Sequence, residues 1–410
     1  MTRTSPLGEF AMTIRSAAYT LRRAFSSRAT LAASLGDLRP LRNGVTADRH
    51  LAEAVGWLCR AQDAAPGGGV SYGFDLRSGW LPPYPETTGY IITTLLHCAQ
   101  AGGAGLDAAV LRERAVSMAH WLTMVQLESG ALPGGTVGVK PVPTVFNTGQ
   151  VLEGWTEACS ARPDEPVQRC LARAAEWLVA VQDEDGCWRK YLSPLTVQTP
   201  ATYNVRTAAA LLKAGQLLDE PAWTRAALKN LDWALTQQDG HGWFDNNCLT
   251  DNSRPLTHTL GYTLEGLLDA AELSGQERYL NAVRLSSEHL KGAVRSNGFL
   301  SGRLDARWQP MVSWNCLTGS CQLALVWYRL AKAVGDPAYA EVAGRLLEFV
   351  KATQKVGPTD LPVPLQDGGV PDGIRGGIKG SHPIWGGYDP FRYPNWAAKF
   401  FVDALLAAPK

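Results

Sequence analysis

No run of 18 apolar residues occurs anywhere in this 410-residue chain, so no segment is expected to span a membrane. An excess of charge of either sign is also missing: 39 Lys and Arg stand against 38 Asp and Glu, a net +1. That balance supplies no global field for nucleic acid or an anionic surface, and no nucleic-acid partner is expected. The eight Cys include no CxxC pair. Most lie in apolar helical runs such as ITTLLHCAQ around Cys98, as expected of reduced, buried thiols in a cytoplasmic protein. The N-terminal MTRTSPLGEFAMTIRSAAYTLRRAFSS is basic, but it lacks a continuous apolar segment and a clean cleavage site. Residues 1–45 therefore read as a flexible or loosely packed extension, and residues 46–410 as a single domain.

What the chain does have is aromatic and periodic. It carries 14 Trp, 12 Tyr and 41 Gly. Trp and Gln recur five residues apart at Trp57/Gln62, Trp121/Gln126, Trp177/Gln182 and Trp233/Gln238, with steps of 64, 56 and 56 between the Trp. A further 56 residues lead to His289, an eroded copy without Gln, and another 60 lead to Phe349/Gln354. A fixed internal period sets the architecture before any local reading does. Each Trp/Gln helix ends in a Gly-rich turn, where Gly supplies the positive φ that closes a helix. A second helix type follows, starting with small and polar residues: PETTGYIITTLL, FNTGQVLEGW, TYNVRTAAALL, THTLGYTLEGLL, CLTGSCQLALVW and YPNWAAKFFVDALL. Thr and Asn at these starts are good N-caps. Six alternating pairs predict an all-α fold, an (α/α)6 toroid. Its second-type helices lie inside, beginning near Thr87, Thr148, Tyr203, His258, Thr318 and Asn395.

In such a ring the inner helices start at one end, and their first turns line an axial cavity. The candidate residues follow from that placement: Tyr84 and Glu86; Asn147 and Gln150; Tyr203, Asn204 and Arg206; His258 and Tyr262; Trp314, Asn315 and Gln322; Tyr393, Asn395 and Lys399. Asn247 in GWFDNNCL is a further ligand candidate that turn geometry alone would also explain. The segment GGIKGSHPIWGGYDPFRYPNW adds His382, Trp385, Tyr388 and Asp389, in a loop long enough to act as a lid. Structural roles compete throughout. Glu86 could serve the helix dipole, His258 could be a satisfied core residue, and Arg206 needs either an anion or paired acids if buried.

The units EWLVAVQDEDGCW and DWALTQQDGHGW resemble the repeat of squalene–hopene cyclases and protein prenyltransferases. The acidic strings those chemistries use, DxDD and DDxxD, are absent. Asp185-Gly-Cys187 matches one element of the prenyltransferase zinc site but falls in a turn after an outer helix, and Cys316 and Cys321 lack the His neighbourhood of the lanthionine-cyclase-like zinc proteins. No metal or other cofactor is expected. A second signature is GWLPPYPETTGYIITTLL, FNTGQVLEGW, PLTHTLGYTLEGLL and the C-terminal GSHPIWGGYDPFRYPNWAAKFFVDALL. It resembles a group of bacterial toroid proteins associated with exopolysaccharide genes, and it implies a polysaccharide-related role.

Two chemistries fit the candidates. Arg, Asn, His and Tyr around a cavity suit proton abstraction beside a uronate carboxylate, as in a lyase or C5-epimerase acting on an acidic polysaccharide. Arg206 would hold the carboxylate, His258 or Tyr262 would move the proton, and Glu86 would orient the substrate or act as acid. A glycoside hydrolase would instead use Glu86 and Asp389 as its two carboxyls. A terpenoid cyclase-like protein and a non-catalytic glycan-binding scaffold are further readings. Oligomeric state is left open.

Overall fold

The computed structural model describes residues 22–102, 105–197, 199–357 and 372–409. Among them, short helix α1 (Arg28–Asp37) precedes twelve helices that alternate between two environments. The outer set is α2 (Ala47–Asp63), α4 (Ala108–Val125), α6 (Glu165–Ala180), α8 (Pro221–Leu235), α10 (Glu277–Leu290) and α12 (Pro337–Thr353). The inner set is α3 (Pro85–Gln100), α5 (Val145–Ala161), α7 (Val205–Leu217), α9 (Thr257–Ser274), α11 (Leu317–Val334) and α13 (Asn395–Ala407). Burial separates the two sets: fourteen of the sixteen residues of α3 are buried, against six of sixteen in α6. Each inner helix packs on the next, and α13 packs back on α3, so the fold is the (α/α)6 toroid. The inner starts fall within three residues of those expected from sequence.

The Gln residues join neighbouring repeats. The Gln126 amide donates to Gly130 O in its own turn (2.8 Å) and to Cys170 O on the next outer helix (2.8 Å). Gln182 repeats this with Gly186 O and Ala226 O, both at 2.9 Å. Gln354 closes the circle, reaching Gly376 O (2.7 Å) and His50 O on α2 (3.3 Å). The turn glycine is fixed by the same contact. Gly376 has φ +80°, and a Cβ there would sit 2.1 Å from Glu53 O. Trp57 completes the closure, donating its Nε1–H to Gly373 O at 2.9 Å. His289, the eroded copy, lies edge-on to His241 in the turn of the preceding repeat, with ring centroids 5.9 Å apart.

One expectation about the inner starts is corrected. Thr and Asn at these starts suit N-caps, but α3, α5, α9, α11 and α13 have no side-chain cap hydrogen bond. These side chains brace the preceding loop instead. Thr88 Oγ1 accepts from Val70 N (3.0 Å) and Thr148 Oγ1 from Leu132 N (2.9 Å). Asn147, Asn315 and Asn395 donate to Pro133 O, Leu300 O and Ser71 O. A buried loop must satisfy its backbone somewhere, and these residues supply the partners.

Of the stretch read as a loosely packed extension, residues 1–21 lie outside the described residues. The remainder docks on the ring. Asp37, at the end of α1, pairs with Lys379 and accepts from Ile384 N at 2.7 Å. Arg23 bridges to Asp75 at 2.8 Å. Short strands pin the long loop before α13. β1 (Gly73–Asp75) pairs with both β2 (Gly79–Trp80) and β5 (Arg392–Pro394), and β3 (Asn315–Cys316) pairs with β4 (Ser381–His382).

Candidate active site

A cavity of about 530 Å³ opens at the end of the ring where the inner helices begin. Tyr84 and Glu86 enter it from the start of α3, Phe146 from α5, Tyr203 from the turn before α7, His258 and Tyr262 from α9, and Trp396 from α13. Tyr72, just before β1, and Tyr388, Asp389 and Arg392, from the segment before α13, form the facing wall. That loop is fixed by its own hydrogen bonds. Ser381 Oγ donates to Tyr388 O (2.7 Å) and accepts from Tyr388 N (3.1 Å), and Gly380 N donates to Arg392 O (3.0 Å). Asp389 is presented from a left-handed backbone, φ +47°. A non-glycine residue pays for that conformation, and such strain recurs at functional positions.

Two carboxyls thus reach one cavity from opposite ends of the chain. Burial pushes Glu86 up to about 7, although its hydrogen bond from the Tyr84 hydroxyl opposes the shift. Burial likewise raises Asp389 to about 6, against the pull of Arg392, whose Nη1 lies 3.2 Å from Asp389 Oδ1. The Tyr72 side chain, hydrogen-bonded to Asp389, also opposes the rise. Arg392 is also held by Asp75, at 2.9 Å. Burial pushes His258 down to about 4, so it is neutral near pH 7, with Nδ1 2.6 Å from Gln322 Oε1. Its ring packs against Tyr262 and Tyr388, with centroids 4.3 and 5.3 Å away. Trp396 donates Nε1–H to the Tyr388 hydroxyl (2.7 Å) and stands edge-on to Tyr72 at 4.6 Å.

Of the sequence candidates, Glu86, Tyr84, Tyr203, His258, Tyr262, Tyr388 and Asp389 meet at this cavity. Gln322 stands behind His258. Asn147, Asn315 and Asn395 brace loops as described, and Asn247 accepts from the Thr263 hydroxyl at 2.8 Å. Gln150 and Asn204 are buried away from the cavity, as is Tyr393 on β5. Trp314 packs over Gly302 and Gly387, and His382 faces Lys379 and Asp37. Trp385 is half-buried outside the cavity lining.

Arg206 is a correction. It does not converge with Glu86, His258 and Tyr262. The backbone N of Arg206 packs against Gly266, two and a half turns into α9, so its side chain reaches a second cavity of about 550 Å³ around the later turns of the inner helices. There Arg206 is bound by Glu153 (2.6 Å), Asp269 (2.9 Å) and Glu265 (3.1 Å). Lys399 lines the same cavity, paired with Asp403 at 2.7 Å. Phe400 packs between the two cavities, touching the Tyr262 ring on one side and Lys399 on the other.

Sequence reasoning missed Tyr72, Phe146, Arg392 and Trp396. The last two lie within the quoted DPFRYPNWAAKFF string, so the aromatic density there was the available signal. No three His, Cys, Asp or Glu side chains gather in a metal-ligating group among the described residues. Asp185 instead caps its own turn, accepting from Cys187 N at 3.1 Å.

No family model matches the chain, and no curated protein matches it by sequence. Solved structures do match in fold. An unsaturated glucuronyl hydrolase specific for heparin superposes with TM-score 0.66 at 14% identity, covering 88% of this chain and 96% of that one. Cellobiose 2-epimerase from Bacillus thermoamylovorans gives 0.64 at 10%, covering 86% and 96%. A D-mannose isomerase gives 0.64 at 14%, covering 93% and 98%. The class defined by fold and site is an (α/α)6 toroid with an aromatic, two-carboxyl cavity at the end where its inner helices begin.

Proposed function

We propose that this chain is a carbohydrate-active hydrolase that cleaves a glycosidic bond between Glu86 and Asp389. The observation that carries the reading is the pair of buried carboxyls lining one cavity, raised to about 7 and about 6. Between about pH 6 and pH 7 Glu86 holds its proton more tightly than Asp389, the order that the division of labour in glycoside hydrolysis requires. Glu86 gives its proton to the departing glycosidic oxygen. Asp389 either takes a proton from the attacking water or attacks the anomeric carbon itself, and the anomer released distinguishes the two. The flat faces of Trp396, Tyr72 and Tyr388 suit the C–H faces of a pyranose. The saccharide substrates named for the fold's solved relatives support the substrate class.

Uronate proton abstraction is less well supported. It needs a cation to neutralise the substrate carboxylate, and Arg206 serves the other cavity. Arg392 is already bound by Asp75 and Asp389, and His258 is neutral. The resemblance to toroid proteins found near exopolysaccharide genes makes exopolysaccharide-derived oligosaccharides the first substrates to test. Reducing ends should accumulate, and Glu86→Gln and Asp389→Asn should each lower the rate by about 100-fold or more. Formation of an unsaturated uronate, or full activity in both variants, would rule the hydrolase out.

A further inference from the structure

The mouth of the cavity is asymmetric. On one side stand Glu86, Asp389 and Arg392. On the other the lining is mainly apolar, with Leu81, Pro82, Val139, Pro194, Leu195 and Leu249 beside the hydroxyls of Thr136 and Ser193 and no charged side chain. This apolar side continues outward onto the surface. Six of the fourteen large apolar side chains exposed among the described residues lie on just two loops: Val137, Val139 and Val142 on the first, Tyr191, Leu195 and Val197 on the second. Leu195 is 67% exposed and Val197 73%. Single exposed apolar residues are ordinary, but a patch gathered at the mouth of a cavity is not.

The two loops adjoin at the cavity. Val137 N donates to Pro83 O at 2.9 Å, tying the first loop to the segment before α3. Gly134 sits so close to Pro194 that a Cβ would lie 2.8 Å from its ring. Val197 N donates to Leu249 O at 2.9 Å. Val139 and Leu195 belong to both the cavity wall and the exposed patch, so whatever enters the cavity on this side lies along the patch.

We propose that the substrate is an amphiphile, a saccharide whose leaving group is an apolar chain. The sugar rests between Glu86, Asp389 and Trp396, and the chain leaves the cavity over Val139 and Leu195 towards Val137 and Val197. This inference rests on the hydrolase reading of the cavity.

The test is calorimetric binding of methyl, hexyl and octyl glucosides and mannosides, below micelle formation, to the full chain. Affinity should rise with each methylene, by at most about fourfold. In Val137→Ser/Val197→Ser, whose altered residues lie outside the cavity wall, the gain from hexyl to octyl should shrink while methyl glycoside binding stays the same. Equal affinity along the series, or an undiminished gain in the double variant, would overturn the proposal. So would a double variant that merely converts a dimer to a monomer, since the patch would then be a self-association face. Hydrolysis is scored separately. Chain-length-dependent binding without cleavage would count against the hydrolase reading alone, and cleavage of glycans with flat chain-length dependence against the amphiphile alone.

Discussion

The Tyr84 hydroxyl donates to Oε2 of Glu86, two residues further along the chain, and both side chains are buried at the cavity. The bond favours the ionised carboxylate and works against the desolvation that raises it. Tyr84→Phe should therefore lift the Glu86 pKa further above 7, by about one unit, as expected for a hydrogen bond to a charged group. Titration of Glu86 by carboxyl-resolved NMR would check this. A downward shift would mean that Tyr84 does not serve the carboxylate.

The raised pKa is also a statement about stability. Glu86 binds its proton more tightly folded than unfolded, so its contribution is fully present below about 4.5 and is lost as pH rises through about 7. Gln at this position does not titrate. Urea unfolding should show Glu86→Gln gaining on the wild type between pH 5 and pH 8, by roughly 3 kcal/mol at most. A constant difference across that range would contradict the assignment.

Arg206 should prove structural. Arg206→Ala leaves Glu153 and Glu265 without their cation, while Asp269 keeps Arg329 at 2.7 Å. It should cost roughly 3–5 kcal/mol of stability, as loss of one partner from a buried ion cluster does. The pH profile of any cleavage by the protein that still folds should be unchanged. A stable variant with altered substrate preference would return Arg206 to the binding site.

The ring should depend on its closing contacts. Trp57 is fully buried and bonded to Gly373 O, so Trp57→Ala should destabilise by roughly 3–5 kcal/mol. Gln354→Ala, which leaves Gly376 O and His50 O without that donor, should cost about 1–3 kcal/mol. Denaturant melts of both variants would measure this, and a neutral Gln354→Ala would show that the joint between the last and first outer helices is dispensable.

The ring was legible in the sequence because its joints repeat. Gln126, Gln182 and Gln354 make the same two bonds, so selection for one geometry left one spacing. The site was only partly legible. Glu86, His258 and Tyr262 lie near inner starts, where periodicity points. Arg206 has the same address, but its backbone packs deep along α9, and depth along the axis leaves no mark on a one-dimensional pattern. Tyr72 reaches the cavity from the residue just before β1, and the strand that pairs with β1, Arg392–Pro394, lies more than 300 residues away. The repeated Asn residues looked like ligand contacts because a polar side chain at a cavity-facing start reads the same whether it faces the cavity or the loop behind it.

The most direct test of the central claim is the pH dependence of kcat/KM for glycoside cleavage. An ionised Asp389 and a protonated Glu86 coexist best between about 6 and about 7. The account predicts a bell with its maximum in that interval, the acid limb set by Asp389 and the alkaline limb by Glu86. A rate that keeps rising beyond pH 8 would contradict it, because no protonated Glu86 would then remain to act as the acid.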